Sequence, residues 1–275
     1  VSENSRPGPT VRVTTVEHSP AGEQRREDRV AAEEPLEIRL AWPGAAARRV
    51  WVTMRTPGHD FELAAGWLLH EGLAGLADVR TVAYCTDVDL SPQEEFNVVT
   101  VTLGTAPARD VSHRHAAASA GSSACGVCGK DSVAEALSTP RGRRWAGPDP
   151  DADVVRALPD RLREAQPVFG QTGGVHAAGL ATAAGELLVV REDVGRHNAV
   201  DKVTGARVLA GLAPAEAVLV VSGRAGFELV QKAVAAGVGS LVAVGAPSSL
   251  AVGLAHEAGL GLWGFTRGAR TVRYV

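Results

Sequence analysis

Cysteine is scarce in this chain, three among 275 residues. So small and odd a number excludes the disulfide framework of a small secreted domain and points to a reducing compartment, where a close pair is kept for its chemistry. Aromatic residues are scarce too, at 4%, which removes the stacking platforms that single-strand nucleic-acid binders need. Charge of one sign is also missing: 28 Lys and Arg stand against 31 Asp and Glu, for a net charge of -3, so no basic footprint for nucleic acid is present. The opening VSENSRPGPT contains no apolar core of the kind a signal peptide needs, and the cytoplasm is the expected location.

The longest uncharged run, Ala233 to Ala255, has the length of a membrane span. Gly237, Gly239, Gly245 and the Ala246-Pro247-Ser248 turn divide it into pieces of strand and helix length, so no membrane segment is expected. What is present is the composition of a globular protein, 45% hydrophobic and 21% charged, long enough for about two domains.

Periodicity divides the chain in two. In the second half, apolar Leu187 to Val190, helical Arg196 to Leu209, apolar Ala217 to Val221, helical Phe227 to Ala236, apolar Leu241 to Val244, helical Ser249 to Ala258 and apolar Leu260 to Phe265 alternate, with Gly237 and Gly259 as helix stops. That alternation predicts crossovers and a mostly parallel sheet, preceded by a hairpin around Ala184-Gly185. The first half offers strands at Val11 to Val16, Leu36 to Leu40, Val50 to Met54, Val79 to Tyr84 and Phe96 to Leu103 around one helix, Asp60 to Glu71. The expected organisation is an unassigned segment 1–33, a smaller α+β domain 34–112, a flexible cysteine-bearing loop 113–131 and an α/β domain 132–275.

The loop holds SSACGVCGK, with Cys125 and Cys128 two residues apart. Structural zinc normally takes four Cys or His ligands, and the pair can recruit only Cys85 with His113 or His115, so no zinc is expected. The zinc-deaminase signature fails as well, because Ala124 stands where its Pro belongs and no H-x-E occurs. Disulfide exchange suits the C-x-x-C spacing but not its distance from an N-terminal βαβ unit. A nucleophile or carrier fits better: Gly126 and Gly129 leave the thiols accessible, and Lys130 with the helix start DSVAEAL favours the thiolate.

Three further clusters carry charge. In REDVGRHNAVDK, Asp193, His197 and Asp201 follow at four-residue spacing, which suits either an imidazole held between carboxylates or a cap and a solvated face. SGRAGFELVQK places Arg224 at a helix N-terminus, an arrangement suited to phosphate. GFTRGAR, with Arg267 and Arg270, offers donors to phosphate or a guanine edge. The G-x-G-x-x-G of Gly259 to Gly264 follows a helix and enters a strand, the reverse of a dinucleotide fingerprint.

In order and spacing, ACGVCGK, TGGVHAA, REDVGRHNAVDK, SGRAGFELVQK, APSSLAV and GFTRGAR resemble the FdhD family, the sulfur carrier proteins needed for formate dehydrogenase activity, and MRTPGHDFELAAGWLLHEGL resembles its N-terminal signature. The resemblance runs from about Glu34 to Val275. Gly226 departs from it, standing where family members tend to have Ser.

The resemblance implies an α/β fold with a cytidine-deaminase-like C-terminal domain lacking that enzyme's zinc. It implies a sulfurtransferase-like carrier that takes persulfide sulfur from a cysteine desulfurase and delivers it to the molybdenum cofactor, the bis-molybdopterin guanine dinucleotide form, for apo formate dehydrogenase. Cys125 would carry the persulfide and Cys128 would assist. Phe265, Thr266, Arg267, Gly268, Ala269 and Arg270 would contact the guanine dinucleotide, which makes GDP a natural mimic. A homodimer is implied too. The competing functions are a cofactor-binding chaperone without sulfur transfer and a dithiol oxidoreductase.

Overall fold

The computed structural model describes residues 7–75, 77–86, 94–109, 111 and 137–275. Strands β1 (Thr10–Ser19) and β2 (Gly22–Ala31) pair antiparallel along their whole length, from Thr10 opposite Ala31 to Ser19 opposite Gly22. Both are largely exposed, so little core holds the ribbon, and a contact to the chain's second half, Arg29 to Gln171 at 2.7 Å, ties it down.

Alternation builds the first sheet. Leu36, Ile38 and Leu40 are completely buried on β3 (Glu34–Trp42), between outward-tending Glu37 and Arg39. β3 pairs antiparallel with β4 (Ala45–Arg55). Helix α1 (Asp60–His70) follows, then β5 (Val79–Tyr84) and β6 (Val98–Leu103), and the sheet order is β4-β3-β6-β5 with β3 and β6 parallel. Leu63, Ala64, Trp67 and Leu68 of α1 pack on this sheet's core, and the Trp67 ring stacks on Trp51 at 4.8 Å.

The second sheet follows two helices that the hydrophobic pattern did not announce, α2 (Ala152–Glu164) and α3 (Pro167–Thr172). The rest of the chain runs β7 (His176–Ala181), β8 (Leu187–Asp193), α4 (Arg196–Leu209), β9 (Val218–Val221), α5 (Phe227–Ala236), β10 (Ser240–Ala243), α6 (Ser249–Ala258), β11 (Gly261–Arg267) and β12 (Arg270–Arg273). The run Ala233 to Ala255 is thus shared among α5, β10 and α6, and among the described residues no helix is long and apolar enough to cross a membrane. Ser248 caps α6 by accepting from the Ala251 N–H at 3.3 Å.

The sheet order is β12-β11-β10-β9-β7-β8. Parallel pairing is confined to β9-β10-β11, whereas β7 is antiparallel to both its neighbours and β12 to β11. The expected mostly parallel sheet is therefore parallel only at its centre. The reason is the hairpin: β8 crosses through α4 to β9 and runs in the same direction, but β7 is inserted between them. Leu229 and Val230 of α5 join Val200 and Val203 of α4 on one face, and Val155, Leu158 and Leu162 of α2 cover the other. Covered on both sides, β9 and β10 are buried at every position, at about 1.5 to 3 kcal/mol per large apolar side chain.

The two sheets meet where α1 crosses α4. A Cβ at Gly66 would lie 1.9 Å from the Asp201 carbonyl oxygen, and one at Gly205 would lie 1.7 Å from that of Glu62. Only two glycines allow the backbones to approach this closely.

Candidate functional site

Cys125 and Cys128, the expected sulfur-bearing pair, lie outside the described residues. Cys85 is half-buried and within 3.6 Å of Arg39 Nη1. Among the described residues no three His, Cys, Asp or Glu side chains converge as metal ligands.

The cluster in REDVGRHNAVDK separates into distinct tasks. Completely buried Asp193 receives Lys202 Nζ at 2.7 Å, the Gly195 N–H at 2.8 Å, the Asn198 amide at 3.1 Å and the Thr56 N–H of the first domain at 3.2 Å. Burial pushes its carboxyl up, against the pull of Lys202. Asp201 faces α1 instead, meeting His70 Nδ1 at 2.5 Å and Lys232 Nζ at 2.6 Å. Burial pulls the His70 imidazole down, which keeps it neutral, while Lys232 and the His70 hydrogen bond hold Asp201 low in spite of its burial. His197 turns to Glu228, with Nε2 at 2.7 Å. Asp193 and Asp201 thus take different partners, and both fasten the seam where the segment 56–70 meets α4. Around it, Glu62 of α1 takes Arg191 at 2.5 and 2.8 Å, and Arg55 is held by Asp60 at 2.9 and 3.1 Å.

Chemistry has more room at the carboxyl ends of β8 to β11. Backbone hydrogen bonds lace the loops there: Gly245 N–H to the Gly223 carbonyl, Ser248 N–H to Ala225 and Phe265 N–H to Gly245, at 2.9, 3.2 and 3.1 Å. Gly226 ends the first loop as the N-cap of α5, with no side chain to contribute, and Arg224 is exposed with its stem against Gly245. Beside these loops opens a cleft of about 510 Å³, lined by Arg267 from β11, His176 from β7, Ser222 after β9, and Asp160, Gln166 and Phe169 from the α2-α3 corner. Its volume and its place, outside the carboxyl ends of parallel strands, are those of a small-molecule site in an open α/β sheet.

The six residues of Phe265 to Arg270 form the end of β11 and its turn into β12. Phe265 has φ 51, rare for a large side chain, at a register shift between Gly264 and Arg267, so the strand bulges there. The bulge leaves the Phe265 ring exposed and turns fully buried Thr266 inward, where its hydroxyl lies 2.9 Å from that of Thr271. Gly268, at φ 56, and Ala269 make the exposed tip. Arg267 lines the cleft; Arg270 instead lies over the Phe265 ring, 5.1 Å from its centroid.

The far wall was not legible as a site. Glu192, of the REDVGRH stretch, accepts the N–H groups of Val168 and Phe169 at 2.9 and 2.8 Å and so fixes α3 against the cleft. Arg163 stacks over Phe169 at 3.7 Å. Gln166 is only 5% exposed, and its side-chain Nε2 has no hydrogen-bond partner among the described residues. On the opposite wall His176 Nδ1 is 3.5 Å from Ser222 Oγ, and burial, then Arg196 and His197, lower its pKa. Of these residues Glu192, His176 and Ser222 stood in the motifs REDVGRHNAVDK, TGGVHAA and SGRAGFELVQK; PDRLREAQPVFG, which holds Arg163, Gln166 and Phe169, carries no spacing that marks it.

Fold and cleft together define an α/β protein with an open cleft, bearing arginine and a buried amide, at the strand ends. The chain belongs to the FdhD/NarQ family, whose model matches residues 31–275. It is similar to the sulfur carrier protein FdhD of Nocardia farcinica, 50% identical over 94% of this chain and 90% of that one. It is likewise similar to the sulfur carrier protein FdhD of Streptomyces avermitilis, 49% identical over 89% and 86%. A crystal structure assigned to a formate dehydrogenase accessory protein from Desulfotalea psychrophila shares the fold, with a TM-score of 0.73, 23% identity and 97% of each chain covered.

Proposed function

We propose that the chain is a sulfur carrier serving formate dehydrogenase. It accepts persulfide sulfur from a cysteine desulfurase at Cys125 and passes it to the molybdenum cofactor, which it holds by the guanine dinucleotide. The observation that carries the reading is Arg267 lining a nucleotide-sized cleft in a chain half identical to proteins named sulfur carriers. The Cys125 thiolate attacks the outer sulfur of the desulfurase persulfide; one S–S bond forms on Cys125 as another breaks, and the desulfurase cysteine leaves as thiolate. Cys128 assists. Arg267 supplies charge-assisted hydrogen bonds to phosphate or base acceptors, and the Phe265–Arg270 turn borders the same ligand.

The β8-β7-β9-β10-β11 order, with only β7 reversed, supports a cytidine-deaminase-like reading of the second domain, without zinc. A homodimer in the cytoplasm completes the proposal. The test is mass spectrometry after incubation with a cysteine desulfurase and cysteine. The expected result is an adduct of about 32 Da on Cys125 that reductant removes, absent in Cys125→Ala and only reduced in Cys128→Ala. No adduct would leave a cofactor chaperone; a Cys125-Cys128 disulfide alone would mean a dithiol oxidoreductase; a zinc ion per chain in the native spectrum would return the pair to a structural role.

A further inference from the structure

Gln166 sets a problem that its own chain does not solve. A buried amide is normally satisfied, and leaving a donor without a partner costs about 1 to 3 kcal/mol. Its Nε2 is nonetheless unpartnered at 5% exposure, and the residue lines the cleft that Arg267 also lines. Its backbone is held firmly, the N–H by the Arg163 carbonyl at 3.3 Å and the carbonyl by the Gly170 N–H at 2.9 Å, so the corner that carries the amide is fixed and the buried nitrogen meets a ligand through a turn of the side chain alone. Asp160, one helical turn and a half earlier, brings an exposed carboxylate to the same cleft, and no cation within the described residues pairs with it. The same cleft is lined by the Phe169 ring, covered on one face by Arg163.

We propose that Gln166 and Asp160 form the base-reading subsite of this cleft, specific for guanine. This rests on the reading that the cleft holds a guanine dinucleotide, and it names the residues that tell guanine from other bases. Guanine offers an acceptor at O6 beside donors at N1–H and N2–H₂. Gln166 Nε2 donates to the acceptor, and the Asp160 carboxylate takes the donors. The amide alone does not discriminate, because it can turn over and accept from the amino group of adenine; an acceptor-only partner beside it breaks that symmetry. Arg267 is left for the phosphates, since a guanidinium has no lone pair with which to take a base N–H.

The experiment is calorimetric titration of the full chain with GDP, IDP and ADP at fixed ionic strength, with thermal unfolding of the nucleotide-free protein alongside. IDP keeps O6 and N1–H and lacks the 2-amino group. The wild type is expected to bind GDP about tenfold more tightly than ADP, and more tightly than IDP. Gln166→Met is expected to lose about tenfold in GDP affinity with ADP affinity little changed, and its midpoint without nucleotide falls little, because the amide nitrogen it removes has no hydrogen-bond partner among the described residues. Asp160→Ala is expected to bring GDP and IDP together. Should Gln166→Met fail to fold, Asp160→Ala, on an exposed position of α2, decides through the GDP-to-IDP ratio. Wild-type binding of all three nucleotides alike, or variants that keep the GDP preference, overturns the subsite and leaves the cofactor reading standing. No binding of GDP by the wild type overturns both.

Discussion

At and beside the crossing of α1 and α4 the buried aspartates each have a cation from the same chain: Asp193 has Lys202, Asp201 has Lys232 and, next to the crossing, Asp60 has Arg55. At the cleft the arrangement is reversed. Arg163, Arg267 and Arg224 face no carboxylate within ion-pair distance among the described residues, and Gln166 keeps a buried donor unused. The seam matches its charges within the chain, although His70 Nε2 and Asp201 Oδ2 are buried there without hydrogen-bond partners among the described residues; the arginines at the cleft have no such match. The lesson is that charge and burial do not mark a functional site until the partners are counted, for the more densely charged and more deeply buried of the two regions is the one that holds the fold together.

The hardest way to break the comparison is at Asp201. Asp201→Ala strands the Lys232 ammonium and the His70 ring in a buried space, and removing one partner of a buried pair is expected to cost about 3 to 5 kcal/mol. Urea unfolding followed by circular dichroism measures it. A loss below about 1 kcal/mol would mean that the seam is not what joins the domains.

A milder probe is Glu62, whose carboxyl is held at about 2, against an ordinary 4.5, by hydrogen bonds and charge from Arg191 and His59 acting against its burial. Because the folded-state value is depressed, the stabilisation is present above pH 4.5 and is lost as the pH falls toward 2. Glu62→Gln should therefore be less stable than wild type at pH 7, with the gap narrowing between pH 4.5 and 2. Urea midpoints across that range check it, and a gap independent of pH would remove the ion pair from the account.

Arg267→Ala sharpens the contrast from the other side. With an exposed side chain and no partner to strand, it is expected to change stability by no more than about 0.5 kcal/mol, while GDP affinity drops roughly tenfold or more. Unfolding and titration on one preparation separate the two. A large loss of stability would place Arg267 with the seam.

The second sheet was largely legible because its strands are short apolar runs punctuated by glycine: Gly237 and Gly259 stop α5 and α6 where expected. The ribbon was half legible. Val11 to Val16 alternates, but its partner GEQRREDRVA has no apolar face and is a strand through its pairing with β1. Helix α2 hides behind Pro159 in its interior, a residue that usually argues against a helix. Arg267 could be read from its motif. Asp193 and Asp201 could not be assigned a task from spacing, since the groups that settle it, Thr56, His70 and Lys232, are far away in sequence and meet them only through the crossing of α1 and α4.

That crossing also sets an order of events during synthesis. Helix α1 leaves the ribosome long before α4 and α5 exist, so Gly66 and His70 must wait for Gly205, Asp201 and Lys232 to be made. At about 5 to 20 residues per second, the wait is on the order of ten seconds. Through that interval the first sheet carries a helix whose outer side is cut for a neighbour not yet present, and the nascent chain offers a folding helper or a protease a window that closes only when α5 arrives.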